Sequence, residues 1–351
     1  MDATPTLPRT FFKAYPKVEL HRHLEGSLRL STMLELAHKN KLDVPLSDPP
    51  KLRALVQVLH EDPFTSENFL SKFKTLRLFF TSREVIERIT REAIADAAED
   101  NVQYMELRFT PVALARAQGY PLDEVMDWVI RTTKDASQTY GVQTNLIASV
   151  NRHEPLSVAE EVAQYALERL DRGIVALDLA GNEAEYPAAP FVPLFREVQE
   201  AGMRITIHAG EWGNAENIRD AITKFNTERV GHGVRIFEDP SVVDLARERG
   251  TVFEVCPTSN YQSGVIEKLA KHPLLAMAEN GLNVTINTDD PGISDIELTD
   301  EYAISTTKLG MSIDMLYQSM ISAASAAFIS PEQSELLIHQ LQSMIPTHPT
   351  A

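Results

Sequence analysis

The sequence predicts a (β/α)8 TIM barrel, an α/β fold in which eight parallel strands alternate with helices. Three features predict it: eight short runs of strand character, helical periodicity between most of them, and polar side chains where the runs end. The predicted strands are 18–21, 102–109, 144–150, 174–179, 204–208, 229–232, 251–256 and 284–289. An open doubly wound sheet is the alternative, but it would carry a glycine-rich phosphate turn after an early strand, and none is visible.

Helical segments are predicted between the strands and after the last strand. Apolar residues recur at a helical period in 158–170, 193–201 and 240–249. About eighty residues separate the first two strands, where a minimal crossover needs roughly 30. This interval predicts a helical insertion over 31–100, with helices at 31–39, near 62–80 and at 82–100. The insertion could also act as a lid over the pocket. The C-terminal part, 298–344, is predicted to be helical outside the barrel, and 346–351 to fray.

Composition limits the classes of function. The chain has 351 residues, with 33 Lys and Arg against 50 Asp and Glu, for a formal net charge of −17. This charge argues against nucleic acid and an anionic membrane surface as partners and favours a small-molecule substrate. With a single cysteine, Cys256, no intrachain disulfide can form. Since neither a signal peptide nor a run of bilayer length is visible, we expect one cytoplasmic domain spanning 1–351. No feature indicates the oligomeric state.

The most informative motif is the H-R-H triplet at 21–23, at the end of the first strand. Side chains two apart on a strand share a face, so His21 and His23 could form half of a metal site. His208 ends the fifth strand and Asp289 the eighth, and the carboxyl ends of barrel strands meet on one face. Three imidazoles and a carboxylate suit zinc or a similar cation with an open position for water.

Further polar residues lie beside these candidate ligands. Glu211 follows His208 in a glycine-rich turn, where it could donate or accept a proton. His232 ends the sixth strand and could take a proton from water or hold the resulting hydroxide. Asp290 could bind a substrate nitrogen. The pattern predicts metal-assisted hydrolytic attack on an electrophilic carbon, without specifying whether this carbon belongs to a carbonyl group, lies next to phosphorus or belongs to an aminopurine.

Five fragments in order resemble the adenosine/adenine deaminase family of the amidohydrolase superfamily, and most closely its adenosine deaminases. They are K-V-E-L-H-R-H-L-E-G at 17–26, H-A-G-E at 208–211, G-H-G at 231–233, C-P-T-S-N at 256–260 and N-T-D-D-P at 287–291. The resemblance extends from about residue 7 to residue 308. It implies hydrolysis of adenosine or 2′-deoxyadenosine to inosine or 2′-deoxyinosine, with release of ammonia and one Zn²⁺ per chain.

The resemblance also implies a role for each matching residue. Glu211 would protonate a purine ring nitrogen, and His232 would handle the attacking water. The implied zinc ligands are His21, His23, His208 and Asp289, of which Asp289 would also be catalytic. The implied substrate contacts are His23, Glu25, Phe69, Phe73, Gly181 and Asp290, with Phe69, Leu70 and Phe73 forming an apolar gate. D-L-A-G at 178–181 provides no bridging lysine, so a single metal is expected.

Glu25 differs from the family pattern, because adenosine deaminases usually carry Asp there, reaching the 5′-hydroxyl of the sugar. Glu is more typical of relatives that act on adenine or on adenosines altered at the 5′ carbon, and these remain alternatives. The lack of a basic cluster near the motifs argues against a nucleoside monophosphate. A nucleoside-binding or signalling protein on the same barrel is the non-enzymatic alternative. The sequence leaves open whether Trp212, Arg152 and His153 line the pocket.

Overall fold

Eight parallel strands form the centre of the fold in the computed structural model, which describes residues 7–40, 42, 44 and 48–345. Each strand pairs with the next one in chain order, from β1 to β8. The strands are β1 Lys17–His23, β2 Val102–Phe109, β3 Gln143–Asn151, β4 Ile174–Ala180, β5 Arg204–Ala209, β6 Arg229–His232, β7 Val252–Val255 and β8 Asn283–Ile286. The predicted (β/α)8 barrel is therefore confirmed.

The barrel closes between β1 and the segment that follows β8. The backbone N–H of Asp289 donates to the carbonyl of His21 at 2.9 Å, and the N–H of His23 donates to the carbonyl of Asp289 at 2.8 Å. Arg22 and Asp289 form a parallel bridge at the same point. The seam that closes the barrel thus places two of the histidines beside the aspartate.

Helices surround the barrel. In the described part of the chain the α-helices, numbered in chain order, are α1 Arg9–Ala14, α2 Leu30–Asn40, α3 Pro49–Val56, α4 Ser66–Leu76, α5 Arg83–Glu99, α6 Pro111–Arg116, α7 Leu122–Tyr140, α8 Leu156–Leu167, α9 Val192–Glu200, α10 Ala215–Thr223, α11 Pro240–Arg249, α12 Pro257–Gln262, α13 Leu274–Glu279, α14 Pro291–Ser294, α15 Leu298–Thr307, α16 Ile313–Ala326 and α17 Pro331–Met344. None of these helices is long and apolar enough to span a bilayer.

The insertion between β1 and β2 contains four helices, α2 to α5, where three were predicted. The helix that was missed, α3, begins with two prolines, and its N-cap Asp48 accepts a hydrogen bond from the backbone N–H of Lys51. Proline usually indicates a break, but it is tolerated in the first turn, where its missing N–H has no partner to lose. The predicted C-terminal helices are confirmed as α15 to α17. The tail 346–351, which was predicted to fray, lies outside the described residues.

The barrel interior is charged beneath the carboxyl ends of the strands. Arg229 contacts Glu106 at 2.6 Å and Glu254 at 2.6 Å, and Arg108 donates to Glu254 at 2.6 Å. These side chains are at most 1% exposed. Removing one partner of such a buried pair costs about 3–5 kcal/mol, because the remaining charge is left without compensation. The network therefore forms a rigid floor under the ends of the strands.

Candidate active site

A pocket of about 410 Å³ opens at the carboxyl ends of the strands, the face on which barrel enzymes carry their catalytic groups. His21 is fully buried beneath it. The other residues predicted for the site all line the pocket: His23, Glu25, Phe69, Leu70, Phe73, Gly181, His208, Glu211, His232, Asp289 and Asp290.

Atoms that could ligate a metal ion converge at the base of the pocket. One ligand atom from each of His21, His208, His232 and Asp289 lies within 4.8 Å of the others. His21 Nε2 is 3.2 Å and His23 Nε2 is 3.3 Å from Asp289 Oδ1. Ligand atoms at the corners of a tetrahedron around zinc lie about 3.3–3.4 Å apart, given bonds of about 2.0–2.1 Å. His21 Nε2 is also buried without a hydrogen-bond partner, so the residues fit a metal centre.

The cluster is wider than the predicted ligand set. The four residues whose ligand atoms lie close together include His232 but not His23. His23 is connected to them through its contact with Asp289 at 3.3 Å. The choice of His23 as the fourth ligand therefore stays a prediction. His232 and Asp289 both have left-handed backbone conformations, with φ of +61° and +64°. Such strain is unusual for residues other than glycine and concentrates at functional sites.

Buried carboxylates orient two of the histidines. His21 Nδ1–H donates to Glu254 Oε2 at 2.8 Å, and His208 Nδ1–H donates to Asp178 Oδ1 at 2.9 Å. Each bond leaves the Nε2 lone pair facing the cluster, which is the usual role of such partners around a metal. Arg108 links the two carboxylates, at 2.6 Å from Glu254 and 3.4 Å from Asp178. Nothing in the sequence analysis indicated that Glu254 and Asp178 act on the histidines.

We expect Asp178→Asn to weaken metal affinity by about 10- to 100-fold, because the amide is a poorer acceptor and holds the His208 imidazole less firmly. Titration of the metal-free protein against a chelator of known affinity measures the change. Asp171→Asn, at an exposed site outside the pocket, is the control. Equal metal affinity in all three proteins would contradict the role given to Asp178.

Burial keeps several of the imidazoles neutral. It lowers the pKa of His23 to about 4 and also lowers the pKa values of His208 and His232. A neutral imidazole has the free lone pair that metal binding requires. Burial alone would raise the pKa of Asp289, but the adjacent imidazoles of His21 and His23 hold it well below its usual range. These protonation states suit cation binding at His23, His208, His232 and Asp289. Burial alone would lower the pKa of His21, but the neighbouring carboxylates of Asp289 and Glu254 raise it.

Glu211 is held in a state suited to proton donation. Burial, with the nearby Asp289 and Glu183 charges, raises the pKa of Glu211 well above its usual value. Glu183 accepts hydrogen bonds from the backbone N–H groups of Gly210 at 2.6 Å and of Glu211 and Gly213 at 3.0 Å, which fixes the turn carrying Glu211. Nothing in the sequence distinguished Glu183 from other loop acids.

A chain of hydrogen bonds determines the tautomer of His232. The N–H of Leu274 donates to His272 Nδ1 at 3.1 Å, so neutral His272 carries its proton on Nε2, which donates to Asn260 Oδ1 at 3.2 Å. The Asn260 amide can then donate to His232 Nδ1 at 3.1 Å. His232 therefore carries its proton on Nε2, 3.5 Å from Glu211 Oε2. With its proton on Nε2, His232 can donate a hydrogen bond to an oxygen atom at this position but cannot accept a proton from it there.

Two carboxyl groups in the pocket each keep one oxygen unpaired. Glu25 Oε1 accepts from the Thr110 N–H at 2.6 Å, while Glu25 Oε2 and Asp290 Oδ1 have no partner. Burial raises the pKa of Glu25 to about 7, and burial with the Asp289 charge raises the pKa of Asp290 well above its usual value. A Cβ on Gly26 would lie 1.7 Å from Asp290 Oδ1, so only glycine leaves room for this carboxyl group.

The structure also settles which neighbouring residues face the pocket. Trp212 and His153 belong to its lining, and Arg152 is buried and donates to the carbonyl of His208. Lys74 and Arg77, from the helical insertion, line the pocket as well. The sequence analysis named Phe69, Leu70 and Phe73 just before them, but it did not assign Lys74 or Arg77 to the pocket.

Comparison with known proteins identifies close relatives. A family model described as adenosine deaminase matches residues 16–344. The adenosine deaminase of Clostridium botulinum (strain Kyoto / Type A2) is 36% identical over 327 residues, covering 93% of this chain and 97% of that protein. The adenosine deaminase of Klebsiella pneumoniae (strain 342) is 35% identical over 327 residues, with the same coverage of 93% and 97%.

Solved structures agree with this relationship. An adenine deaminase from Arthrobacter aurescens has a TM-score of 0.87 at 28% identity, with 94% of this chain and 99% of that chain covered. An amidohydrolase from Burkholderia ambifaria with bound Zn has a TM-score of 0.86 at 25% identity, covering 98% and 96%. The Arabidopsis N6-mAMP deaminase has a TM-score of 0.84 at 27% identity, covering 95% and 99%. The chain belongs to the adenosine deaminase family.

Proposed function

We propose that this protein is a zinc-dependent hydrolase that converts adenosine and 2′-deoxyadenosine to inosine and 2′-deoxyinosine, releasing ammonia. One observation carries the proposal: a buried histidine and aspartate cluster and a buried carboxylic acid, Glu211, face the same pocket. Hydrolytic deamination needs both an activated water and a proton donor for the ring. The curated relatives at 35–36% identity are named adenosine deaminases.

Zinc, one ion per chain, is the metal we propose. Its ligands would be His21, His23, His208 and Asp289, since mixed imidazole and carboxylate donors suit this cation. The Burkholderia ambifaria amidohydrolase contains bound Zn. A bound zinc ion supplies Lewis-acid activation of water near neutral pH.

The side chains around the metal centre divide the remaining chemistry. Glu211 protonates the purine ring nitrogen beside the amino-bearing carbon, which makes that carbon electrophilic. His232 donates its Nε2–H to the attacking oxygen and holds it in place, and Asp289 accepts the proton that the water loses. Asp289 then passes its proton to the amino group, and the hydroxyl of the tetrahedral adduct returns a proton to Glu211. The adduct expels ammonia and leaves the 6-oxo product.

Substrate contacts follow from the pocket lining. Asp290 and the Gly181 backbone bind purine ring nitrogens. Phe69, Leu70 and Phe73 cover the base and exclude water, which strengthens the electrostatic interactions inside the site. Glu25 directs its unpaired oxygen to the 5′ side of the sugar.

Glu25 supports a second candidate, a deaminase of adenine or of adenosines altered at the 5′ carbon. The Glu25 side chain is one methylene longer than that of aspartate, so it leaves less space for a sugar hydroxyl. The Arthrobacter aurescens structure is an adenine deaminase and the Arabidopsis structure an N6-mAMP deaminase. A substrate panel separates these candidates.

We expect kcat/KM for adenosine to exceed that for adenine. Glu25→Ala should lower kcat/KM for adenosine at least about tenfold, because the variant loses a hydrogen bond to a charged group. The value for 5′-deoxyadenosine, which lacks that hydroxyl, should change less. Loss of the adenosine absorbance band and ammonia release provide the rates, with Glu154→Gln as the control because its carboxylate is paired with Arg116. If metal-loaded protein released no ammonia from adenosine, 2′-deoxyadenosine, adenine or 5′-deoxyadenosine, the proposed function would be wrong.

A further inference from the structure

Two buried side chains, Asn260 and His272, lie outside the lining of the catalytic pocket but are joined to it by hydrogen bonds. Asn260 lies on α12, and His272 lies just before α13. The Asn260 amide contacts His272 Nε2 at 3.2 Å on one side and His232 Nδ1 at 3.1 Å on the other. Because all three side chains are buried, each must find its hydrogen-bond partners within the protein.

One backbone group sets the direction of every bond in this relay. The N–H of Leu274 can only donate, and it donates to His272 Nδ1 at 3.1 Å. Burial lowers the pKa of His272 to about 3, so the ring is neutral and its single proton lies on Nε2, facing the Asn260 carbonyl oxygen. A flipped Asn260 amide would set its NH2 group against that Nε2–H and leave two buried donors without an acceptor.

The partner of Nδ1 differs among the histidines of the cluster. His21 and His208 each donate Nδ1–H to a carboxylate, which leaves a lone pair on Nε2. His232 instead accepts at Nδ1 from the Asn260 NH2 group, so its Nε2 carries a proton. His232 is one of the four residues whose ligand atoms lie within 4.8 Å of one another. Its position and its neutral state would both admit it as a metal ligand, but its tautomer turns the lone pair toward Asn260.

We propose that His272 is a positioning residue that acts through Asn260 to fix the tautomer of His232, and that this tautomer keeps His232 out of the ligand set of the metal. His232 is then held beside the metal as a hydrogen-bond donor, and His23 is left as the third imidazole ligand. The inference rests on the proposed function for the metal site and deepens it, because it names the residues that separate a ligand from a donor.

The tautomers can be measured directly in the zinc-loaded wild type. Long-range ¹H–¹⁵N correlation spectra of protein labelled with ¹⁵N-histidine distinguish a protonated ring nitrogen from one that carries a lone pair. We expect the proton on Nε2 in both His272 and His232, with His272→Gln and His232→Gln used to assign the signals. A neutral His232 with its proton on Nδ1 overturns the inference, whether or not the protein deaminates adenosine.

Asn260→Asp reverses the relay at its centre. A carboxylate only accepts, so it would place the proton of His232 on Nδ1 and free the Nε2 lone pair for the metal. We expect kcat for adenosine to fall at least about 100-fold, since a histidine in the wrong tautomer can cost about 10⁴-fold, with a much smaller change in KM. The visible spectrum of the cobalt-substituted protein should also change, because it depends on the ligands of the metal. An unchanged kcat and cobalt spectrum would contradict the proposal.

Two substitutions at His272 separate positioning from packing. His272→Leu fills the space without a donor, so the Asn260 amide is free to turn, and kcat should fall at least about tenfold. His272→Gln keeps an amide N–H for Asn260 and should recover most of that loss. Equal rates in the two variants would reduce His272 to a packing role. Asn280→Asp, which adds the same charge at the exposed end of α13, is the control for Asn260→Asp and should match the wild type in kcat and cobalt spectrum.

Failure of the proposed function gives a different result from failure of this inference. If the metal-loaded protein releases no ammonia from any of the substrates named above, the proposed function is wrong, and the histidine tautomers with the cobalt spectra decide the role of the relay. If Asn260→Asp does not fold, the wild-type tautomers and the two His272 variants decide it.

Discussion

Replacement of Glu211 by glutamine is expected to lower kcat for adenosine by about 100-fold or more, the scale of general acid catalysis. Glutamine preserves the size of the side chain and its place in the turn held by Glu183, but it has no acidic proton to transfer. Burial, with the nearby Asp289 and Glu183 charges, raises the pKa of Glu211 and so favours its protonated form in the wild type. Steady-state rates, metal content and nucleoside affinity should be measured on the same preparations.

Metal content and affinity distinguish a chemical effect from a structural one. Both should remain close to wild type in Glu211→Gln, and Glu154→Gln, an acid near the pocket that is paired with Arg116, should retain full turnover. Near-normal turnover in Glu211→Gln would remove Glu211 from its assigned role. Nucleoside binding to both proteins with turnover in neither would favour a nucleoside-binding protein on the same barrel.

His21→Ala is expected to abolish stable metal binding and, with it, deaminase activity. His21 is fully buried, and its Nε2 faces the cluster without any other partner. The substitution removes one donor and also leaves Glu254 without the imidazole that it holds at 2.8 Å. Elemental analysis after dialysis should find about one zinc per wild-type chain and a small fraction of that in the variant.

His339→Ala provides the control for this experiment, because His339 is exposed on α17. The metal content of His339→Ala should match that of the wild type. The wild type and His339→Ala should both lose activity with a chelator and regain it with zinc. Full metal retention by His21→Ala would remove His21 from the ligand set. Two tightly bound ions per wild-type chain would contradict the single-metal site and favour a different amidohydrolase reaction.

Much of the architecture followed from patterns that are local in the sequence. Runs of β-branched residues predicted each strand to within a few residues, because a strand buried on both faces needs a continuous apolar segment. The eighth strand was predicted to reach Asp289 but ends at Ile286, since the following residues turn to close the barrel. The α3 helix was missed because its two initial prolines resemble a break, and only its docking in the insertion shows otherwise.

The sequence by itself determined the fold and predicted the histidines, the aspartate and the glutamate that line the pocket, because each lies next to the strand that positions it. Only the tertiary structure decided which groups act on these residues. Glu254 and Asp178 orient histidines on other strands, Asn260 selects the tautomer of His232, and Arg77 reaches the pocket from the insertion. Such contacts depend on strand register and helix docking, which join residues distant in the chain and leave no local pattern.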